Sequence, residues 1–232
     1  MNEAPPPHFR TVRSFVRRSG RVTAAQQRAL AERWPGFGVD FSPQPLDLDA
    51  LFRRRAPRTM EIGFGNGEHL LARAVAEPQR DFLGVEVHRA GVGQLLNGAA
   101  AAQLGNLRVA NHDAIEVLQL QIEPQALDEV QILFPDPWPK ARHHKRRLLQ
   151  PAFVELLATR LAAGGRLLLA TDWLPYAEQM QEVLGACAHF ERHEQGTASA
   201  HSDAPQRAPT RFERRGLRLG HQVSEFSFRR LP

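Results

Sequence analysis

The chain has 232 residues, 42% of them apolar, and a formal net charge of +5. That length and apolar content allow one sizeable domain with extensions, and no stretch approaches the eighteen consecutive apolar residues of a membrane span. The single cysteine, Cys187, excludes an internal disulfide framework, and the N-terminus lacks the apolar run of a secretory signal, so a cytoplasmic protein is expected.

Residues 1–9 include three consecutive prolines and show no periodicity, so disorder is expected there. Residues 10–21 hold five arginines around Phe15 and Val16; they read as a basic arm for a phosphate backbone or as a solvated tail. Thr23 and Gln26 have capping-box spacing, which opens a helix expected to reach Trp34 and stop at Pro35-Gly36. Residues 36–57 are irregular and proline-punctuated, with a short helix expected over 46–52. Residues 1–57 are therefore expected to be an extension, and 58–232 the main domain.

From Arg58 onward, strand, glycine or acid, and helix alternate. Strands are predicted over 59–62, 81–87, 107–110, 130–134 and 166–171, and helices over 68–76, 90–104, 114–120, 151–162 and 175–184. Pro151 suits the first helical position, and Gly164-Gly165 reads as the stop of that helix. Residues 195–209, rich in Gly, Ala, Ser and Pro, predict a mobile loop, and 223–228 a last strand. Such alternation specifies an α/β fold, a mostly parallel sheet with helices on both faces.

Glu61-Ile-Gly-Phe-Gly-Asn-Gly67 closes the first of these strands. Gly63, Gly65 and Gly67 permit a tight turn and close backbone approach to a ligand. A dinucleotide fingerprint starting at Gly63 needs its third glycine at position 68, which is Glu68, and no Gly-Lys-Ser/Thr triphosphate cradle is present. A carboxylate beside such a loop suits a ligand without pyrophosphate but with a cationic end, and S-adenosylmethionine is one. Glu61 is then placed to face its amino acid part and Glu86, ending the second strand, to accept from its ribose hydroxyls. Asp113, after the third strand, is placed for the adenine amino group, with Asn111 and His112 along that edge.

Phe134-Pro-Asp-Pro-Trp-Pro-Lys140 follows the fourth strand, and its three prolines prevent continuation as strand or helix. The stiff loop presents Asp136, Trp138 and Lys140 at the strand's carboxyl end, where open α/β sheets bind ligands. Arg142, His143, His144, Lys145, Arg146 and Arg147 follow as a cationic run. Both lysines of the chain, Lys140 and Lys145, lie in this stretch. A rigid acid-and-aromatic loop joined to a basic patch suits a flat, polyanionic substrate; the competing reading is a turn beside a solvated charge run.

With these motifs the chain resembles the bacterial tRNA (guanine-N7-)-methyltransferase family, from Arg13-Ser-Phe-Val-Arg-Arg18 to the C-terminus. The resemblance rests on Pro135-Asp-Pro-Trp-Pro-Lys140 with Arg142-His143 and Lys145-Arg-Arg147. Glu61-Ile-Gly-Phe-Gly65, Gly84-Val-Glu86, Thr171-Asp172 and Thr210-Arg-Phe-Glu213 support it. It departs from the family pattern at Ala90, usually proline, and at Ser224-Glu225, usually Trp-Asp. The resemblance implies a class I S-adenosylmethionine-dependent methyltransferase fold, Rossmann-like, with a seven-stranded mostly parallel sheet whose last strand is antiparallel. It implies methyl transfer to N7 of a guanosine in the tRNA variable loop, with Glu61, Glu86, Asp113 and Asp136 lining the cofactor site. Lys140, Asp172, Thr210, Arg211, Phe212 and Glu213 would contact substrate, and Arg142, His143, His144, Lys145, Arg146 and Arg147 would contact RNA. The protein would act as a monomer or homodimer without an obligatory protein partner.

Attack by N7 removes no proton, so the site needs alignment and charge stabilisation rather than a general base. Asp136 is the catalytic candidate, because the product purine is cationic. Asp172 is either a second substrate carboxylate or the N-cap of the helix after it. Trp138 is either a stacking surface for the base or a plug beneath the loop. Thr210 and Glu213 also have capping-box spacing. No metal is expected: His143 and His144 are adjacent, and no CxxC spacing exists. Two rivals remain, a methyltransferase acting on an exocyclic amine, because Asp-Pro-Trp resembles the Asp-Pro-Pro-aromatic loop, and a non-catalytic RNA-binding protein.

Overall fold

A computed structural model describes residues 13–15, 22–193 and 222–232. Among these, eight strands form one sheet: β1 (Gly38–Val39), β2 (Arg58–Ile62), β3 (Asp81–Val85), β4 (Leu107–Ala110), β5 (Leu127–Leu133), β6 (Leu161–Thr171), β7 (Phe190–Arg192) and β8 (Ser224–Arg230). Their order is β1-β4-β3-β2-β5-β6-β8-β7. Strands β1 to β6 pair in parallel, and β8 pairs antiparallel with both β6 and β7. The last strand is thus antiparallel as expected, but there are eight strands where seven were implied. The addition is β1, two residues of the N-terminal segment laid against Val109 and Ala110 at the sheet's edge.

The helices are α1 (Ala24–Glu32), α2 (Trp34–Phe37), α3 (Leu48–Phe52), α4 (Glu68–Ala76), α5 (Arg89–Ala101), α6 (Ala114–Leu120), α7 (Pro151–Arg160) and α8 (Leu174–Gly185). Successive strand residues enter opposite cores, as the two-residue period requires. Leu83, Val85, Met60 and Ile62 join one core with Val117, Leu157 and Tyr176. Phe82, Leu107 and Val109 join the other with Leu70, Leu95 and Ala29. Covered on both faces, β3 is buried along its whole length.

Thr23 does form the expected capping box with Gln26. The helix it opens ends at Glu32, however, and Pro35-Gly36 lies inside the one-turn α2 instead of stopping a helix at Trp34. Proline's missing N–H costs nothing in a first turn. Likewise α7 ends at Arg160, and Gly164-Gly165 falls within β6, not at a helix stop. Leu161 pairs with Leu127, and the register shifts before Arg166 meets Glu129. Gly164 takes φ 77° at this irregularity, which only glycine adopts readily. Val39, Leu48 and Phe52 enter the same core as β2 and β5, so residues 38–52 pack as part of the sheet structure.

Read by sequence number, the order runs one way through β2, β3 and β4 and the other through β5 and β6. The reversal lies between β2 and β5, and the crevice beyond their carboxyl ends is the ligand position of an open α/β sheet.

Candidate active site

All five central parallel strands deliver an acid to this carboxyl edge. Glu61 is the penultimate residue of β2, Glu86 follows β3, Asp113 follows β4, Asp136 follows β5 and Asp172 follows β6. On one side of the crevice the β2–α4 turn holds Gly63, Gly65 and Gly67 at φ 73°, 59° and 76°. Three left-handed residues in five are a conformation for which side chains are strained. Helix α5 presses on this turn at Gly91, where a Cβ would stand 1.9 Å from the carbonyl oxygen of Gly65.

Two of the acids here, Glu86 and Asp113, are held by backbone N–H groups. Glu86 is buried; its Oε2 accepts from Gly65 N–H at 2.9 Å, and its Oε1 from Val87 and His88 N–H at 2.7 and 2.9 Å. One carboxylate thereby ties the glycine turn to the end of β3. Asn111 latches the neighbouring strand by donating Nδ2–H to the Glu86 carbonyl at 2.7 Å. Glu61 is also buried, with His69 Nδ1 of α4 2.9 Å from its Oε2. His69 was not read from the sequence; no spacing rule links it to Glu61, and only the strand–turn–helix geometry joins them.

Asp113 caps α6 by accepting from Ile115 N–H at 3.0 Å. Burial pushes its carboxyl above the ordinary carboxylate range, partly offset by that N–H. Beside it His112 stacks on Phe41, ring centroids 3.7 Å apart and planes 9° apart, so the segment after β1 walls this end of the edge. Residue Asp172 is half-buried. Helix α8 begins at Leu174 with Trp173 in the N-cap position and no side-chain cap, so Asp172 does not have the capping role that was its alternative.

Across the crevice the β5 loop is bracketed by two non-glycine residues in the left-handed region, Phe134 at φ 53° and Trp138 at φ 44°. Such residues persist only where the surroundings hold them. Phe134 N–H donates to the Ala170 carbonyl at 2.8 Å, which secures the loop's start to β6. Asp136 and Lys140 are exposed at its crest. Trp138 is half-buried; its indole N–H donates to the Ser14 carbonyl at 3.0 Å, and the Arg146 guanidinium lies 4.2 Å from its ring centroid. The tryptophan therefore neither plugs the core nor offers both faces: one carries Arg146, and the N–H tethers the N-terminal segment.

The cationic run folds into a 3-10 helix, Ala141–Arg146, that the sequence did not predict. Arg142 and Lys145 are exposed, and His143, His144 and Arg146 half-buried. Desolvation, then the cations Arg142, Arg146, Lys140 and Lys145, hold His143 below its ordinary value, which keeps it neutral at pH 7. Arg147 corrects the expectation of RNA contact. It is 3% exposed, and its guanidinium faces inward, donating to the Pro137 carbonyl at 2.8 Å and to Gln179 Oε1 at 2.6 Å. A buried guanidinium has no surface to offer a phosphate.

Thr210, Arg211, Phe212 and Glu213 lie outside the described residues, as do residues 195–209 and most of the basic arm. Among the described residues no group of three His, Cys, Asp or Glu side chains is placed to hold a metal ion.

A family model described as "Putative methyltransferase" matches residues 55–226. A tRNA (guanine-N(7)-)-methyltransferase of Halorhodospira halophila is 55% identical over 224 residues, 96% of this chain and 96% of that protein. The proteins of the same description from Leifsonia xyli and Thiobacillus denitrificans are 55% and 53% identical, covering 95% and 94% of this chain and 96% and 95% of theirs. Among solved structures, the 16S rRNA methyltransferase KamB is similar with a TM-score of 0.56 at 15% identity, covering 82% of this chain and 95% of that one. TrmN from Thermus thermophilus has a TM-score of 0.53 at 19% identity, covering 79% of this chain and 47% of its own. These last two likenesses concern the fold alone.

Proposed function

We propose that this chain, which belongs to the tRNA (guanine-N(7)-)-methyltransferase family, transfers a methyl group from S-adenosylmethionine to N7 of a variable-loop guanosine in tRNA. The observation that carries this reading is the pairing of two loops across the crevice between β2 and β5. One is a glycine turn backed by buried carboxylates, the other a rigid loop presenting Asp136 beside exposed cations.

The donor set suits S-adenosylmethionine. A turn of left-handed glycines beside three acids fits a ligand that carries an amine, hydroxyls and a sulfonium but no pyrophosphate. Glu61 would hold the amino acid end, Glu86 the ribose hydroxyls through the lone pair its N–H partners leave over, and Asp113 the adenine amino group. When bound, that cofactor supplies an already activated methyl group. The chain's own work is then to align the base, exclude water and stabilise positive charge. Guanine N7 presents an in-plane lone pair and loses no proton, so Asp136 acts as a charge partner, not as a base. It faces the purine as that ring becomes cationic, and it also suits the guanine N1–H and amino edge. Asp172 adds a second carboxylate at the end of β6. Lys140, Arg142, His143, His144, Lys145 and Arg146 hold the tRNA backbone, with affinity that falls steeply with salt. Thr210, Arg211, Phe212 and Glu213 complete the substrate side. We assign residues 58–232 as the methyltransferase domain of a cytoplasmic enzyme and residues 1–57 as an extension whose 38–52 segment packs into that domain's sheet and core.

The test incubates purified protein with unmodified tRNA transcripts and methyl-labelled S-adenosylmethionine, followed by borohydride–aniline cleavage at 7-methylguanosine. Label with one cut in the variable loop is the expected result. Label without cleavage means that another atom, such as an exocyclic amine, is methylated, and no label on bound tRNA means a binding protein; either overturns the reading.

A further inference from the structure

We infer that Arg147 is a positioning residue: it holds the Asp136–Trp138 loop in its working shape by clamping that loop to helix α8. This rests on the proposed methyl transfer at Asp136. The guanidinium joins three acceptors from two parts of the chain. Nε–H donates to the carbonyl of Pro137, the residue between Asp136 and Trp138, at 2.8 Å. Nη1–H donates to Gln179 Oε1 at 2.6 Å and to the Pro175 carbonyl at 3.3 Å, both on α8. The guanidinium carbon also lies over the Tyr176 ring, 4.9 Å from its centroid.

Three further observations make this arrangement a device rather than incidental packing. First, the charge is buried without an ion-pair partner among the described residues, and burial alone pulls Arg147 below its ordinary value. Its Nη2 has no hydrogen-bond partner among the described residues. A side chain kept charged at such a cost is poorly explained by stability alone. Second, what it grips is strained: Phe134 and Trp138 both hold positive φ, and the Pro137 carbonyl lies between them. Prolines 135, 137 and 139 lack N–H groups, so the loop has few backbone donors with which to hold itself. Third, the α8 end of the clamp is itself braced. Gln179 donates Nε2–H to the Leu149 carbonyl at 3.1 Å, while Tyr176 Oη, with its pKa pushed up to about 12 by burial, accepts from Leu149 N–H at 3.1 Å. Only a planar fork satisfies the loop carbonyl and the α8 acceptors together; an ammonium is a single point.

The experiment measures kcat and KM for tRNA, cofactor affinity, the salt dependence of tRNA binding and the melting temperature. It compares wild type with Arg147→Lys, Gln179→Met and, as a contrast, Lys145→Gln. Methylation by the wild type establishes the underlying reaction independently of the variants. Arg147→Lys is expected to lower kcat about tenfold to hundredfold through misplacement of Asp136, while KM and the salt slope stay within about twofold of wild type. Gln179→Met, which keeps the arginine but removes its α8 partner, is expected to lower kcat several-fold in the same pattern. Lys145→Gln is expected to reduce the salt slope by about 1. A wild-type kcat in Gln179→Met overturns the clamp even if Arg147→Lys fails to fold. Loss of the salt slope in Arg147→Lys overturns it in favour of an RNA contact.

Discussion

The two edges of the sheet treat their carboxylates in opposite ways. At the amino edge four acids are answered by arginine. Glu129, buried on β5, bonds Arg73 and Arg166; Glu77 bonds Arg73 and Arg80; Asp81, fully buried, bonds Arg54 at 2.6 Å; and Asp49 bonds Arg55 and Arg58. At the carboxyl edge Glu86 and Asp113 take backbone N–H groups, and Asp136 stands exposed. None of these three forms an ion pair with arginine or lysine among the described residues. A carboxylate held by N–H groups stays charged without a cation bonded directly to it. The arginine-paired edge stabilises the fold, and in the proposed reaction the other edge is left negative for a cationic ligand and a cationic product.

The largest effect that sharpens this contrast belongs to the amino edge. Glu129→Gln leaves Arg73 and Arg166 facing a neutral amide. Breaking a buried pair from one side costs about 3–5 kcal/mol, and the lower end is expected because the Arg166 side chain is 41% exposed. Denaturant unfolding should show that loss, while kcat per folded molecule stays unchanged. A fall in kcat without a fall in stability would erase the division between the edges. Next comes Asp136→Asn, which keeps the shape of the loop's crest and removes its charge. Loss of a preorganised electrostatic partner costs about a hundredfold or more in kcat; single-turnover methylation should show it, with the unfolding midpoint unmoved.

The same contrast explains what was legible in the sequence. Glu61, Glu86 and Asp113 stood out because each ends a predicted strand, and the edge position follows from strand direction alone. The alternation of 58–120 carried its helix and strand boundaries because both faces of that part of the sheet are covered by regular helices. Arg147 was misread because a charge run has no period, so nothing local distinguishes the member that turns inward. Gly164-Gly165 was misread because a glycine pair stops a helix as readily as it bends a strand; only pairing with Leu127 decides. Strands β1 and β7, two and three residues long, are held by neighbours distant in sequence, and so are too short to show a pattern of their own.

Glu86→Gln comes third. Its carboxylate receives three backbone N–H groups. An amide puts an NH2 group against at least one of them, which loosens the glycine turn. Hydrogen bonds to a charged group contribute about 1.5–3 kcal/mol, so cofactor affinity by calorimetry should fall about tenfold to a hundredfold. Affinity equal to wild type would mean that the turn holds its shape without the carboxylate.

The smallest effect is a pH signature in which the two edges have opposite signs. Glu129 lies below its ordinary value: burial works against it, and Arg73 and Arg166 more than compensate. Its stabilising contribution is present above the unfolded value and is lost as pH falls through the folded one. Asp113 lies above its ordinary value because burial outweighs the Ile115 N–H and the charges of Arg13 and His112, so its ionised form burdens the folded state at neutral pH, and acid relieves that burden. Asp113→Asn keeps a capping side chain of nearly equal strength and removes the charge. The variant should melt slightly higher than wild type at pH 7, and the gap should close as pH falls through the folded pKa of Asp113. Glu129→Gln should show the reverse, a deficit at pH 7 that shrinks on acidification. If the two variants instead converge on wild type from the same side, the carboxyl edge is charge-compensated after all, and its acids are structural like those of the amino edge.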